Sequence, residues 1–240
     1  MINMGTLKRL SAIIGLVVCA SGLAIANSGS APAVSADEAL QKLMDGNKHY
    51  VEGQMTACKQ SDASARAALA TSQKPYAIIL SCSDSRVPPE IIFDKGLGEL
   101  FVIRVAGNIP DPIVLGSIEY AAEHLGTPLI MVLGHERCGA VTATVNAKGK
   151  PEGNIGAIVK AINPAVKAAI KECDACKGVK KCKETKNAEL VECAIGMNMK
   201  MVAASLTKKS SVLKHLADQG KLKIVTAKYD LDDGTVTVTK

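Results

Sequence analysis

Four short apolar runs without polar alternation constrain the fold of this chain more than any other feature: residues 76–81 (YAIILS), 100–106 (LFVIRVA), 128–133 (PLIMVL) and 222–229 (LKIVTAKY). A strand with one wet face alternates; an uninterrupted run of this length suits a strand covered on both faces, hence a parallel sheet. Segments with helical spacing separate the runs. Ile113, Leu115, Ile118, Ala122 and Leu125 mark a helix over residues 112–125. Further helices are predicted over 138–147, 154–170 and 190–215, the last with an interruption near Gly196. Ahead of the first run, Asp37 reads as the N-cap of a helix towards Tyr50, with Leu40, Leu43 and Met44 on one face. A second helix covers 61–70. After the last run, Leu231-Asp232-Asp233-Gly234 turns into alternating Val and Thr, a C-terminal antiparallel edge strand. The expected fold class is α/β: a central, mostly parallel sheet of four parallel strands plus that antiparallel edge strand, flanked by helices and wound by right-handed crossovers. There is no internal repeat.

The first residues stand apart from this pattern. Lys8 and Arg9 precede an apolar run over 10–20, and Ala24-Ile25-Ala26 offers a small-x-small cleavage site. That is the layout of a secretory signal peptide over residues 1–26. The run is short for a membrane span and broken by Ser11 and Gly15. Val18 before Cys19 is too large for a good lipobox. The expectation is an exported protein, periplasmic or secreted, with no stable membrane insertion after cleavage. Residues 27–36, rich in Ser, Ala, Gly and Pro, form a flexible N-terminus. Residues 37–240 form a single domain carrying a Cys/Lys-rich insertion at about 171–193.

Without Lys8 and Arg9 the excess of basic over acidic residues falls from six to four, and the insertion concentrates much of it. A local lysine cluster is usually a solvated helix face. With no Trp, two Phe and four Tyr, the chain lacks the aromatic platforms on which single-stranded nucleic acid stacks. No nucleic-acid partner is expected.

The chemistry-bearing residues lie just beyond two of the apolar runs. Cys82 follows the first, within Cys82-Ser83-Asp84-Ser85-Arg86; His135 and Cys138 follow the third, within His135-Glu136-Arg137-Cys138-Gly139. Ligands of open α/β sheets bind at the carboxyl ends of strands, where strand order reverses. If the two strands are neighbours, two sulfurs and an imidazole converge, which is a ligand set for zinc with a fourth position open for chemistry. Cys138 opens a predicted helix, whose N-terminus favours its thiolate form. Asp84 and Arg86 add a charged pair beside the metal. Each piece alone is weak; a lone buried Cys is more often packing than ligand.

The combination CSDSR and GHERCGA resembles the β-class carbonic anhydrases. Arg104-Val105-Ala106-Gly107-Asn108 and Ser117-Ile118-Glu119-Tyr120-Ala121 resemble further motifs of that family. The resemblance implies one Zn²⁺ per chain on Cys82, His135 and Cys138, and zinc-hydroxide attack on carbon dioxide to give bicarbonate and a proton. It implies that Asp84 orients the attacking oxygen and that Arg86 holds Asp84 ionised and off the metal. Gln73, Phe101, Ala106, Gly107 and Tyr120 fall at substrate-pocket positions, which the family often supplies across a dimer interface. A homodimer or homotetramer is therefore implied. Glu136-Arg137 departs from the commoner small or polar pair between the ligands. Two alternatives remain at this stage: CS₂ or COS hydrolysis on the same scaffold, and a non-catalytic zinc or redox module. Gly96-Leu97-Gly98 lacks the third glycine of a dinucleotide fingerprint.

With Cys82 and Cys138 assigned to metal and Cys19 to the signal, Cys58, Cys173, Cys176, Cys182 and Cys193 are left. In an oxidising compartment, one or two disulfides stapling the insertion are expected, with at least one cysteine left over. His49, His124 and His215 read as ordinary surface histidines.

Overall fold

The structure, a computed structural model, describes residues 34–57, 61–149, 151, 153–173, 176 and 187–239. The expected signal segment, Cys58, Cys182 and most of the lysine-rich insertion lie outside the described residues.

The four apolar runs form strands β1 (Ala77–Ser81), β2 (Leu100–Arg104), β3 (Leu129–His135) and β4 (Lys223–Tyr229), and the Val/Thr segment forms β5 (Val236–Thr239). The sheet order is β2-β1-β3-β4-β5, parallel except for β4 against β5. β1 and β3 are buried along their whole length, as continuous apolar runs require, whereas β2 is an edge strand and only partly covered.

Helices α1 (Ala36–Val51) and α2 (Ala63–Ala68) precede the sheet, and α3 (Pro89–Ile92) and α4 (Pro112–Glu123) flank β2. A 3-10 turn, Ala106–Asn108, follows β2. Helices α5 (Gly139–Asn146), α6 (Ile155–Glu172), α7 (Asn187–Lys209) and α8 (Ser211–Asp218) lie between β3 and β4. Among the described residues, no helix is long and apolar enough to cross a membrane.

Three boundaries differ from expectation for identifiable reasons. The N-cap of α1 is Ser35 and not Asp37: the Ser35 hydroxyl accepts the Glu38 N–H at 3.2 Å, while Glu38 Oε2 accepts the Ser35 N–H at 2.7 Å. This reciprocal capping box satisfies two backbone donors at once. The long helix does not break at Gly196. It runs through to Lys209 because Leu190, Val191, Ala194, Ile195, Met199, Val202 and Leu206 bury one face, which outweighs the roughly 1 kcal/mol that a single helical glycine costs. The break comes at Ser210, whose hydroxyl accepts the Leu213 N–H at 3.1 Å and caps α8. Finally, β3 extends through His135, so this residue ends the strand and does not follow it.

Helix α1 docks on the segment after α3 through Gly46. A Cβ added at Gly46 overlaps the Phe93 carbonyl, a backbone group with no freedom to move aside. Gly46→Ala is expected to destabilise the fold by about 1–3 kcal/mol or more, as overpacking does. A shifted midpoint in chemical denaturation checks this; an unchanged midpoint would mean that α1 slides at no cost.

Candidate metal centre

The topology turns two distant sequence segments into one site. β1 and β3 are adjacent and parallel, with Ser81 paired to Leu133. Their carboxyl ends therefore point the same way, and β2 lies on the other side of β1, so the strand order reverses here. Cys82 leaves β1, His135 ends β3, and Cys138 is the N-cap residue of α5. All three are buried, and their ligand atoms lie within 4.8 Å of one another.

The local hydrogen bonds fit this set to a soft divalent cation. The His135 Nδ1–H donates to the Glu136 carbonyl at 2.8 Å, which assigns the ring proton to Nδ1, because a carbonyl can only accept. Nε2 is then a bare lone pair, buried and without a hydrogen-bond partner. A buried polar atom with no partner is expensive unless something else occupies it. The two sulfurs tell the same story. The Cys82 thiol is lowered to about 4, first by a hydrogen bond from Cys138 and in part by the Gly107 N–H at 3.4 Å. Cys138 is pushed up by that same contact with Cys82 and by burial. Two buried sulfurs this close cannot both carry negative charge without repelling each other. Two sulfurs and one neutral imidazole nitrogen are zinc donors, and a cation among them removes the repulsion.

Asp84 and Arg86 stand beside the three ligands. Asp84 Oδ1 accepts the Arg86 Nε–H at 2.9 Å and the Arg86 backbone N–H at 3.0 Å; Oδ2 accepts Arg86 Nη2 at 2.8 Å. This two-point grip, the first cause of the shift, holds the Asp84 carboxyl at about 2. Asp84 Oδ2 also lies 3.9 Å from His135 Nε2, at the edge of the ligand set. Nothing in the local sequence shows what holds this loop in place. Arg104, at the end of β2 and paired with Ser81, donates Nε–H to the Cys82 carbonyl at 3.0 Å and Nη2–H to the Asp84 carbonyl. A charged residue ending an apolar run was the available signal for Arg104, and its role went unread.

The expected pocket residues divide into two groups. Gly107, in the left-handed conformation at φ 73°, places its N–H on Cys82, and Ala106 precedes it. Gln73, Phe101 and Tyr120 are elsewhere in this chain. Gln73 is exposed and precedes β1, at the end of the sheet opposite Cys82. Phe101 pairs with Ile78, three residues short of Ser81 and so roughly 10 Å back along the strand. Its ring lies 6.3 Å from that of Tyr120, which is about half exposed on α4. Within one chain these three do not meet Cys82, His135 and Cys138.

A family model described as carbonic anhydrase matches residues 77–236. Carbonic anhydrase 2 of Mycobacterium tuberculosis is 40% identical over 199 residues, covering 82% of this chain and 89% of that protein. Among solved structures, the β-carbonic anhydrase CcaA superposes with a TM-score of 0.66 at 23% identity, over 84% of this chain and 95% of that one. One of two tetrameric β-carbonic anhydrases from Sordaria macrospora gives a TM-score of 0.64 at 22% identity, over 84% and 96%. These last two establish likeness of fold.

Proposed function

The chain belongs to the β-carbonic anhydrase family, and from that premise we propose that it catalyses the reversible hydration of carbon dioxide to bicarbonate and a proton, with one zinc ion per chain held by Cys82, His135 and Cys138. One observation carries the proposal: a buried pair of sulfurs and a partnerless imidazole nitrogen converge within 4.8 Å beside an aspartate already committed to an arginine. A structural zinc site has no need of that second pair.

A bound zinc ion supplies Lewis acidity that lets a water give up its proton near neutral pH. The protein's own groups do the rest. Asp84 stays ionised across the working pH range, because Arg86 holds its carboxyl at about 2. Its Oδ2, the oxygen nearer His135, accepts a hydrogen bond from a water at the site and so aims that water's lone pair. Arg86 keeps both carboxylate oxygens in a fixed grip, so that Asp84 does not become a further ligand. Arg104 locks the backbone of the Cys82–Asp84 loop, which preserves these positions at no reorganisation cost during turnover.

Phe101, Tyr120 and Gln73 enter this reading as residues of a partner copy. The Phe101–Tyr120 pair lies on the partly covered edge strand and a half-exposed helix face, away from its own metal ligands. A homodimer or homotetramer brings one chain's pair to the other chain's site; the Sordaria relative's tetrameric state supports such assembly. Export with cleavage after Ala26 and a disulfide staple at the Cys/Lys-rich insertion complete the proposal.

The test is a stopped-flow assay of carbon dioxide hydration with zinc measured on the same sample. Turnover is expected to rise in proportion to zinc occupancy. Zinc-replete protein with negligible hydration at alkaline pH would reject the proposal and send the search to CS₂ and COS.

A further inference from the structure

Helix α7 contributes no metal ligand, yet it reaches both halves of the site. The two residues that separate His135 from Cys138 form a bridge that is held from outside. Arg137 sits at φ 50°, a left-handed conformation that side chains other than glycine rarely adopt. Such a conformation persists where its surroundings over-determine it. Here the Arg137 backbone N–H donates to Glu192 Oε1 at 2.8 Å, and its guanidinium donates to both oxygens of Asp232 at 2.9 Å each. Glu192 Oε2 pairs with Lys228 at 2.8 Å, and Lys228 also reaches Glu136 Oε1 at 3.0 Å. Further along α7, buried Asn198 donates its Nδ2–H to the Gly107 carbonyl at 2.9 Å, and the Gly107 N–H is the donor to Cys82 Sγ. Between these two anchors, Ile195 and Met199 close on Gly134, the residue before His135, so tightly that a Cβ there would overlap Met199.

We infer that Glu192 and Asn198 are positioning residues for the metal centre: Glu192 sets the His135–Cys138 bridge through the Arg137 N–H, and Asn198 sets the Gly107 peptide that donates to the Cys82 sulfur. This rests on the reading that Cys82, His135 and Cys138 hold zinc. Neither residue touches the reacting atoms. Each acts on the donor residues through one backbone group, so the placement of the three donors depends on a helix that itself supplies none of them. Outer partners of this kind typically change metal affinity 10–100-fold when removed.

The test uses full-length protein in three variants, Glu192→Ala, Glu192→Gln and Asn198→Ala. Loss of zinc to a competing chelator and the visible absorption of the cobalt-substituted protein are followed, with thermal unfolding as a check on folding. Both alanine variants are expected to release zinc about 10–100-fold faster than the parent and to shift the cobalt bands. Glu192→Gln, which retains an oxygen acceptor for the Arg137 N–H, is expected to stay near the parent. Folded Glu192→Ala with parental release and spectrum overturns the inference, as does Glu192→Gln behaving like alanine. Glu192 is partly exposed, so if Asn198→Ala does not fold, the Glu192 pair decides. Carbon dioxide hydration is not a readout here: a parent that takes up no metal fails the functional reading, whereas a parent and variants that bind metal equally well fail the positioning roles alone.

Discussion

Asp84→Asn keeps its zinc and loses on the order of 10²–10⁴ of its turnover, the range that a positioned proton-accepting side chain contributes. The amide has nearly the shape of the carboxylate, so Arg86 retains one oxygen to bond and Cys82 is undisturbed. What disappears is the anionic Oδ2 beside His135, the atom that accepts from a water at the site. The pH behaviour is fixed in sign. The folded carboxyl, at about 2, lies below its ordinary value of 3.8. Its contribution to stability is therefore fully present above about pH 4 and is lost as pH falls through about 2. Between pH 5 and 9 Asp84 does not titrate, and the rate profile of the parent carries no inflection from it. Steady-state hydration rates with zinc measured in parallel check both statements; full turnover in zinc-loaded Asp84→Asn removes Asp84 from the mechanism.

Cys138→Ser weakens zinc binding by more than about 100-fold, beyond what loss of an outer partner does. Cys138 is the N-cap residue of α5, and serine is a favoured N-cap, so the helix start survives the change. The loss falls on the metal instead. A serine hydroxyl is a harder and far less acidic donor than a thiol, and it leaves Cys82 and His135 as the only strong ligands. Zinc content after dialysis against a chelator, with circular dichroism to confirm the fold, is the measurement. Stoichiometric zinc in the folded variant would exclude Cys138 as a ligand.

Much of the architecture could be read along the chain because it is local. Apolar runs at β1 and β3 are continuous because both faces are covered, and the helices between them show their period. Boundaries went astray where a specific hydrogen bond decided between near-equal options, as at Ser35 and Ser210. The candidate metal centre was recognisable because Cys82, His135 and Cys138 carry uncommon donor groups and stand at or just beyond strand ends. Arg104, Glu192 and Asn198 are common residues whose roles depend on what they face across the fold.

Composition and order along the chain thus determined the sheet, the strand-end placement of the donors and the Asp84–Arg86 pair, whose members are two residues apart and meet through the turn that follows β1. The tertiary structure decided that β1 and β3 are neighbours. It also decided that Arg104 straps the Cys82 loop, that α7 reaches both the Arg137 and the Gly107 backbone, and that Phe101 and Tyr120 lie apart from Cys82, His135 and Cys138 of the same chain. The reason is physical: local periodicity encodes which side of an element is buried, whereas contacts between distant segments depend on strand order and register, which leave no repeating mark on the residues that make them.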